Sequence, residues 1–405
     1  MRIDIDSAIK LLSDSIDIQD KTEIIDIVNA SGRVCGRDIF SNINVPVVPK
    51  SAMDGYAVRS IDVESADRYR PVKLEVYKKV YAGDNINFKS KPNTAIRIMT
   101  GAQVPEGYDA IIKQEDTDYG KDVVSIFKSC KPYDNYCKIG EDIKFGQKVI
   151  NKYEVLSPFH IGVLASLGNK TVEVLTSLKV IILSTGSEII EPGMEYKEAA
   201  TYNSTSYQLA TILKNFGVDV LDIIHCNDDT NEIKNIIQEL SNKVDVIITT
   251  GGISVGEKDL LPVVLDDLDA KILFRGVNIK PGTPVTAAKL NDSIILCCSG
   301  NPFACIVNFQ VFFWPILAKK MNNNTFMPKI YDAKFTEGIL KPKKYVSYTR
   351  ARYDLGNVVI NNDGHSSSIL STIIGNNCFI INEPNKNVNI GDSVKVQMMN
   401  LNYEF

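Results

Sequence analysis

The stretch Val244-Asp245-Val246-Ile247-Ile248-Thr249-Thr250-Gly251-Gly252-Ile253-Ser254-Val255-Gly256-Glu257-Lys258-Asp259 joins two patterns. Its first five residues form an apolar run of the kind a strand shows when both faces are covered. The apolar-rich segment from Leu260 to Leu268 reads as a helix. A glycine-rich turn lies between them. Glycines let backbone N–H groups approach an anion closely, and a helix N-terminus adds partial positive charge. Asp259 at the helix entrance can hold a phosphate-bound metal. The turn is not a Walker A loop, since no GK[ST] follows, and it lacks GxGxxG spacing.

Outward from this stretch, residues 178–320 alternate strand and helix. Val180–Leu183, residues 218–224, 244–248, 272–274 and 294–297 read as strands. Leu209, Ile212, Leu213 and Phe216 form a helical stripe, and Ile233, Ile236, Ile237 and Leu240 repeat it. Residues 302–320 form a largely apolar helix with Asn301 as N-cap and Pro302 at its first position. Such alternation predicts a mostly parallel, doubly wound sheet with helices on both faces.

Around this centre the pattern changes. The first 30 or so residues read as two short helices, one with Ala8, Leu11 and Leu12 on its apolar face, the other with Ile24, Ile25 and Val28. From Ser51 to about Asn135 short strands predominate, for example residues 72–77, 95–99 and 110–113. Gly168 ends a helix that precedes the central region. Beyond Thr325 the chain is strand-like, with no long helix. The division drawn is a linker domain of residues 1–44 and 140–176, an inserted β-rich domain of 45–139, an α/β domain of 177–325 and a small C-terminal β domain of 326–405. The fold class is α/β plus β, multidomain.

With 405 residues, 44% hydrophobic and 23% charged, the chain has the composition of a globular protein of several domains. A net charge of −4 argues against general nucleic-acid binding, and no basic amphipathic run points to a membrane surface. No uninterrupted apolar stretch reaches a membrane span, and no signal-peptide pattern opens the sequence. The eight cysteines form no CxxC pair and the three histidines are scattered, so a zinc centre is not expected. Reduced thiols in a cytoplasm are the expectation.

In open α/β sheets, ligands sit beyond the carboxyl ends of the strands. Here those ends carry Thr185-Gly186-Ser187-Glu188, Asn227-Asp228-Asp229, the glycine-rich turn with Gly251, Gly252, Ser254, Gly256 and Asp259, Arg275 followed by Lys280-Pro281-Gly282-Thr283-Pro284, and Ser299-Gly300-Asn301-Pro302. Convergence at one edge gathers three carboxylates (Glu188, Asp228, Asp259), two cations (Arg275, Lys280) and two backbone anion cradles. Carboxylates beside a phosphate favour Mg²⁺, and the cations would balance anionic substrates. Each element also has a plainer reading. Asp228 and Asp229 can be an N-cap pair, and Lys280 a snorkelling surface lysine. In the last region Lys341, Lys343, Lys344, Arg350 and Arg352 fall close together, either presented to an anion or, for the lysines, guarding a strand edge.

Three stretches resemble a known family. They are Ser51-Ala52-Met53-Asp54-Gly55-Tyr56-Ala57, Arg97-Ile98-Met99-Thr100-Gly101-Ala102 and Thr250-Gly251-Gly252-Ile253-Ser254-Val255-Gly256. Together with Lys280-Pro281-Gly282 and Gly300-Asn301-Pro302, they make the chain similar to the molybdopterin molybdenumtransferases, the family of bacterial MoeA and the gephyrin E domain, over essentially its whole length. The resemblance implies an enzyme that takes adenylylated molybdopterin and molybdate, uses Mg²⁺, releases AMP and leaves molybdenum on the pterin dithiolene. It implies a linker domain, an inserted β-rich domain, a nucleotide-binding α/β domain and a C-terminal β barrel, arranged in homodimers whose clefts both subunits line. Its adenylylated substrate would be handed over by a molybdopterin adenylyltransferase.

Carried over residue by residue, the resemblance places Glu188, Asp228 and Asp259 around nucleotide and metal, with Lys280 in the cleft. Thr185, Gly186, Gly251, Gly252, Ser254, Gly256 and Arg275 would meet the nucleotide or molybdopterin. Pro284, Arg350 and Ser368 match positions near the oxyanion. Asp54 and Thr100 match residues facing the partner's cleft, although Asp54-Gly55 also reads as a structural turn. The chain departs from the family at Thr283, where relatives commonly have lysine. It also departs at Ala304 (often serine), Arg275 (a lysine), Tyr202-Asn203-Ser204-Thr205 (an Asp-x-Asn pattern) and Ser367 (a glycine). Two other readings compete. A scaffold of the same fold would not need Asp228, Asp259 and Lys280 together. A molybdopterin adenylyltransferase would resemble only residues 178–320.

Overall fold

The computed structural model describes residues 2–253, 260–361 and 366–401. At its centre is a six-stranded sheet in the order Asp219–Cys226, Lys179–Thr185, Val246–Thr250, Ser293–Cys298, Thr286–Leu290, Lys271–Arg275. The first four strands are parallel. Thr286–Leu290 is antiparallel to both its neighbours, so Lys271–Arg275 runs with the first four. The five strands expected from the sequence therefore end on one rim. Thr286–Leu290 was not expected.

Both faces of the sheet are covered at its centre, and this is why the inner strands Lys179–Thr185, Val246–Thr250 and Ser293–Cys298 are largely apolar on both sides. Val180, Ile182, Val246, Ile248, Ile294 and Leu296 pack with the helices Ile5–Asp14, Thr205–Asn215 and Pro302–Lys320. Their sequence neighbours Ile181, Leu183, Ile247, Ile295 and Cys297 pack with Thr230–Leu240 and Leu261–Asp267 on the other face. Alternate residues of a strand point to opposite faces, so both sets must be apolar. From Lys179–Thr185 the chain crosses to one side through Thr205–Asn215. It then returns past the same strand through Thr230–Leu240 to Val246–Thr250. The direction of winding thus reverses beside Lys179–Thr185, and a crevice opens there.

The Pro302–Lys320 helix is long and apolar enough to cross a membrane, and 89% of its apolar window is buried inside the protein. Its apolarity is that of a core element, packed against the central sheet and against Tyr348, Phe379 and Met399 of the last region.

That last region closes on itself. Ile330–Glu337, Val346–Asp354, Asn357–Val359, Cys378–Asn382 and Ser393–Met398 form a barrel, sealed by pairing of Val346–Asp354 with Cys378–Asn382. The two-residue strand Ile279–Lys280 is added beside Val346–Asp354 and ties the α/β region to the barrel. Residues 55–126 supply an open five-stranded sheet, in the order Ala110–Lys113, Gly55–Val58, Thr94–Ile98, Val72–Val80, Val123–Ile126.

Two expectations fail in the N-terminal region, the first being Leu11, read with Ala8 and Leu12 as one apolar face but exposed. The second N-terminal helix is a strand, Thr22–Asp26, paired antiparallel with Thr171–Leu175 and followed by a single 3₁₀ turn. Ile24 and Val28, read as a buried stripe, are 73% and 78% exposed. Pairing with a distant strand overrides the local helical spacing.

Candidate functional site

The crevice at the reversal point is a cavity of about 620 Å³. Its floor is the carboxyl ends of the two adjacent central strands: Ser184, Thr185 and Gly186 of one, Thr250, Gly251 and Gly252 of the other. Ser299, Gly300, Asn301 and Pro302 form the third side, where Ser293–Cys298 leads into the long helix. Thr201 to Thr205 close the fourth side, and Ser368 of the barrel region reaches in.

The glycines here are required by close approach. Gly251 has φ +102° and Gly252 φ +67°. A Cβ on Gly251 would lie 2.7 Å from the Thr185 carbonyl oxygen, and one on Gly252 would lie 3.0 Å from Thr185 Oγ1. A Cβ on Gly300 would sit 3.3 Å from Gly251 Cα. Two loops can meet at this spacing only when both are bare backbone. Thr185 is 5% exposed, and its hydroxyl has no hydrogen-bond partner among the described residues. A buried hydroxyl without a partner is costly, and this one belongs to a residue of the cavity wall.

The carboxylates separate by role. Asp229 caps Thr230–Leu240, its Oδ1 accepting from the N–H groups of Asn231 and Glu232 at 2.8 and 2.9 Å. Asp228 is left facing the cavity with, among the described residues, two longer bonds to its carboxylate, from the Ser187 N–H and hydroxyl at 3.3 and 3.4 Å. Glu188 is exposed and lines the same cavity. Ser254, Gly256 and Asp259 lie outside the described residues.

A second cavity, of about 580 Å³, lies beyond Phe303 and Ser367. Lys280, Pro281, Ile339, Leu340, Lys341, Lys343, Tyr348 and Thr349 also line it. The loop between the two cavities is pinned from behind. The Phe303 N–H donates to the Ser367 carbonyl at 3.0 Å. Arg350, 1% exposed, donates to the carbonyls of Ile369 at 2.8 Å and Ser366 at 3.1 Å, and its guanidinium lies 4.2 Å from the Phe303 ring centroid. Burial holds the Arg350 group below its ordinary range. Ser368 Oγ is 2.9 Å from Ser366 Oγ.

Arg350 therefore lies behind the cavity walls rather than in them, and Pro284 lines neither cavity. Thr283 is turned inward, its hydroxyl donating to the Ile279 carbonyl at 2.6 Å. Arg275 is ion-paired with Asp266 on the far edge strand and lines neither cavity. Three interstrand spacings, about 14 Å, separate its strand from Val246–Thr250. Asp54 and Thr100 belong to the open five-stranded region, away from both cavities. Asp54 Oδ1 accepts from the Thr100 N–H and hydroxyl, both at 2.7 Å, and these bonds hold the carboxyl below its ordinary range. Two motif stretches are thereby locked together, and Gly55 is fixed beside them, since a Cβ there would lie 1.9 Å from the Ile112 carbonyl.

Sequence reasoning gave no place in the site to two of its parts, although it noted residues 202–205 as a departure from a family pattern. The wall of Thr201 to Thr205 is brought in by the pairing of Ile189–Ile190 with Thr201–Tyr202, which two-residue strands do not announce. The other is Asn308, fully buried in the long helix. Its Nδ2 donates to the Gly282 carbonyl at 2.9 Å, and its Oδ1 accepts from the Ser299 N–H at 3.2 Å. A lone Asn in an apolar helix was the signal available.

Comparisons with known proteins agree with the fold. Residues 3–168 match the family described as MoeA N-terminal region (domain I and II), and residues 181–319 match the probable molybdopterin binding domain. A molybdopterin molybdenumtransferase of Haemophilus influenzae is 32% identical over 403 residues, covering 98% of each chain. That of Bacillus subtilis is 32% identical over 370 residues, covering 90% of this chain and 86% of its own. The crystal structure of a molybdopterin biosynthesis MoeA protein from Pyrococcus horikoshii superposes with a TM-score of 0.85 at 27% identity, covering 98% of this chain and 100% of its own.

Proposed function

The chain belongs to the molybdopterin molybdenumtransferase family, and we propose that its rim cavity holds adenylylated molybdopterin while molybdenum from molybdate is placed on the dithiolene and AMP leaves. It is a transferase of molybdenum cofactor biosynthesis. One observation carries the site assignment: Thr185, Gly186, Gly251, Gly252, Glu188, Asp228 and Ser368, spread over nearly 200 residues, line one cavity at the winding reversal.

In this reading the phosphates of the adenylate lie against the bare backbone of Gly251 and Gly252, where the Thr185 hydroxyl donates to a phosphate oxygen. Glu188 and Asp228, with Asp259 from outside the described residues, would hold Mg²⁺. Two carboxylates beside an orphaned hydroxyl are the hard oxygen donors that this ion takes, with water completing its shell. When bound, Mg²⁺ supplies positive charge to the phosphoanhydride from which AMP departs. Lys280, which lines the second cavity, would bind the tetrahedral molybdate dianion by charge-assisted hydrogen bonds, and the Ser368 hydroxyl would approach it from the adenylate side of the loop between the cavities. Arg350 acts from behind, by holding the loop that presents Ser368, and Pro284 follows the turn that carries Lys280. Binding of the adenylate positions the dithiolene against the oxyanion.

We also propose a homodimer in which Asp54 and Thr100 face the partner's cleft, and hand-over of substrate from a molybdopterin adenylyltransferase. Eight free cysteines support placement in a reducing cytoplasm. The four-part domain division is supported by sheets that stay within its limits, apart from the Ile279–Lys280 strand that joins the barrel.

The test is incubation with adenylylated molybdopterin, Mg²⁺ and molybdate. AMP release and molybdenum incorporation are expected together, and neither is expected without Mg²⁺. Mixing inactive D54N and D228N chains tests the shared cleft: random pairing should restore about a quarter of wild-type activity, and no recovery in exchanged mixtures would exclude it.

A further inference from the structure

The second cavity has an unusual lining. Its floor is apolar, built from Pro281, Phe303, Leu340 and Tyr348, yet Lys280, Lys341 and Lys343 all stand around it. None of the three ammonium groups has a carboxylate within ion-pair distance among the described residues, which holds for most lysines of the chain; what sets these three apart is that they meet around one cavity. The lysines come from two regions, Lys280 from the α/β region and the others from the barrel, so sequence proximity does not explain their meeting.

The strand-edge explanation fails for Lys341 and Lys343. Ile330–Glu337 ends before them, and Val346–Asp354 begins after them. They lie in the connecting loop of a closed barrel, where no strand edge needs guarding. Like charges gathered without counter-charge repel one another, and the repulsion is relieved when an anion enters. The Lys343 ammonium registers this: partial desolvation at the cleft lowers it, and nearby Lys280 lowers it further. Thr283, spending its hydroxyl on the Ile279 carbonyl, contributes nothing to such an anion.

We propose that Lys341 and Lys343 of the barrel loop join Lys280 in a specificity-determining anion subsite that takes a tetrahedral dianion, next to the adenylate cavity and across the Ser367–Ser368 loop from it. This rests on the reading of the first cavity only for its place in the reaction, not for the binding itself. Two sources supply such a dianion: the oxometallate, or the phosphoryl end of an organic substrate.

The experiment is equilibrium dialysis of the full chain at low ionic strength with molybdate alone and with inorganic phosphate alone, using wild type, K341Q/K343Q and K341R/K343R. AMP binding and thermal melting are followed in parallel. Replacing both ammonium groups should weaken anion binding at least about tenfold, and the arginine pair should keep it. Melting and AMP binding should be unchanged in both variants. Loss confined to molybdate supports the subsite with the oxometallate as occupant, and loss confined to phosphate supports it with the phosphoryl end. Equal binding of both anions by wild type and the glutamine variant overturns it. Failure of wild type to bind AMP would instead remove the nucleotide reading and leave this result standing.

Discussion

Asp229 gives its carboxylate to the N–H groups that begin Thr230–Leu240, which leaves Asp228 as the member of the pair that meets the cavity. The two should separate cleanly by mutation. D228N is expected to lower Mg²⁺-dependent AMP release by about a hundredfold or more with little change in melting. D229A is expected to cost about 1 kcal/mol of stability by loss of the cap and to retain turnover. AMP release and urea denaturation on both variants check this, and equal activity loss in the two would remove the distinction. Thr185 makes a different prediction. Its hydroxyl is buried without a partner among the described residues, so T185V should leave the protein at least as stable while weakening AMP binding about tenfold. A stability loss would mean that the hydroxyl serves the fold.

Elements place these residues, and one helix fixes two loops at once. Through Asn308, Pro302–Lys320 holds the Gly282 carbonyl and the Ser299 N–H, so the loop carrying Lys280 and the loop carrying Gly300 share one anchor. N308A would orphan both groups in a buried place. It should cost about 2–4 kcal/mol, seen as a lower urea midpoint, and should weaken molybdate binding although Asn308 touches no ligand. The helix was legible in the sequence as an apolar run behind Asn301-Pro302, and the central strands were legible because burial on both faces leaves no polar alternation. Thr286–Leu290 was not, since its Ala287 and Ala288 are buried but too small to form a visible apolar run. Nor was Thr22–Asp26, whose Ile24 is apolar but exposed, so that a reading equating apolar with buried assigns the wrong period. In the site, Glu188 and Asp228 could be found because strand ends announce the rim. The lysines of the barrel loop could not be assigned, because a loop and a strand edge look alike until the strands are paired.

At the scale of the molecule, six cysteines are buried and two, Cys130 and Cys137, are partly exposed. Burial pushes the thiols of Cys130, Cys226, Cys297 and Cys378 up to about 12. A raised thiol pKa means that little thiolate is present below it. At pH 8 an alkylating reagent should therefore modify Cys137 first and Cys130 slowly. The six buried thiols should react only on unfolding, as mass spectrometry of native and denatured samples would read. Rapid native labelling of Cys297 or Cys298, which are fully buried at the carboxyl end of an inner strand of the central sheet, would mean that this rim of the sheet opens. The order of parts along the chain has a further bearing on that sheet. All six of its strands precede Pro302–Lys320, so on a ribosome they emerge first. This long apolar helix thus arrives when the sheet that covers one of its sides has already been synthesised, and only the side that meets Tyr348, Phe379 and Met399 waits for later chain, so the time it spends fully bare, when chaperones or a translocation machine could seize it, is short.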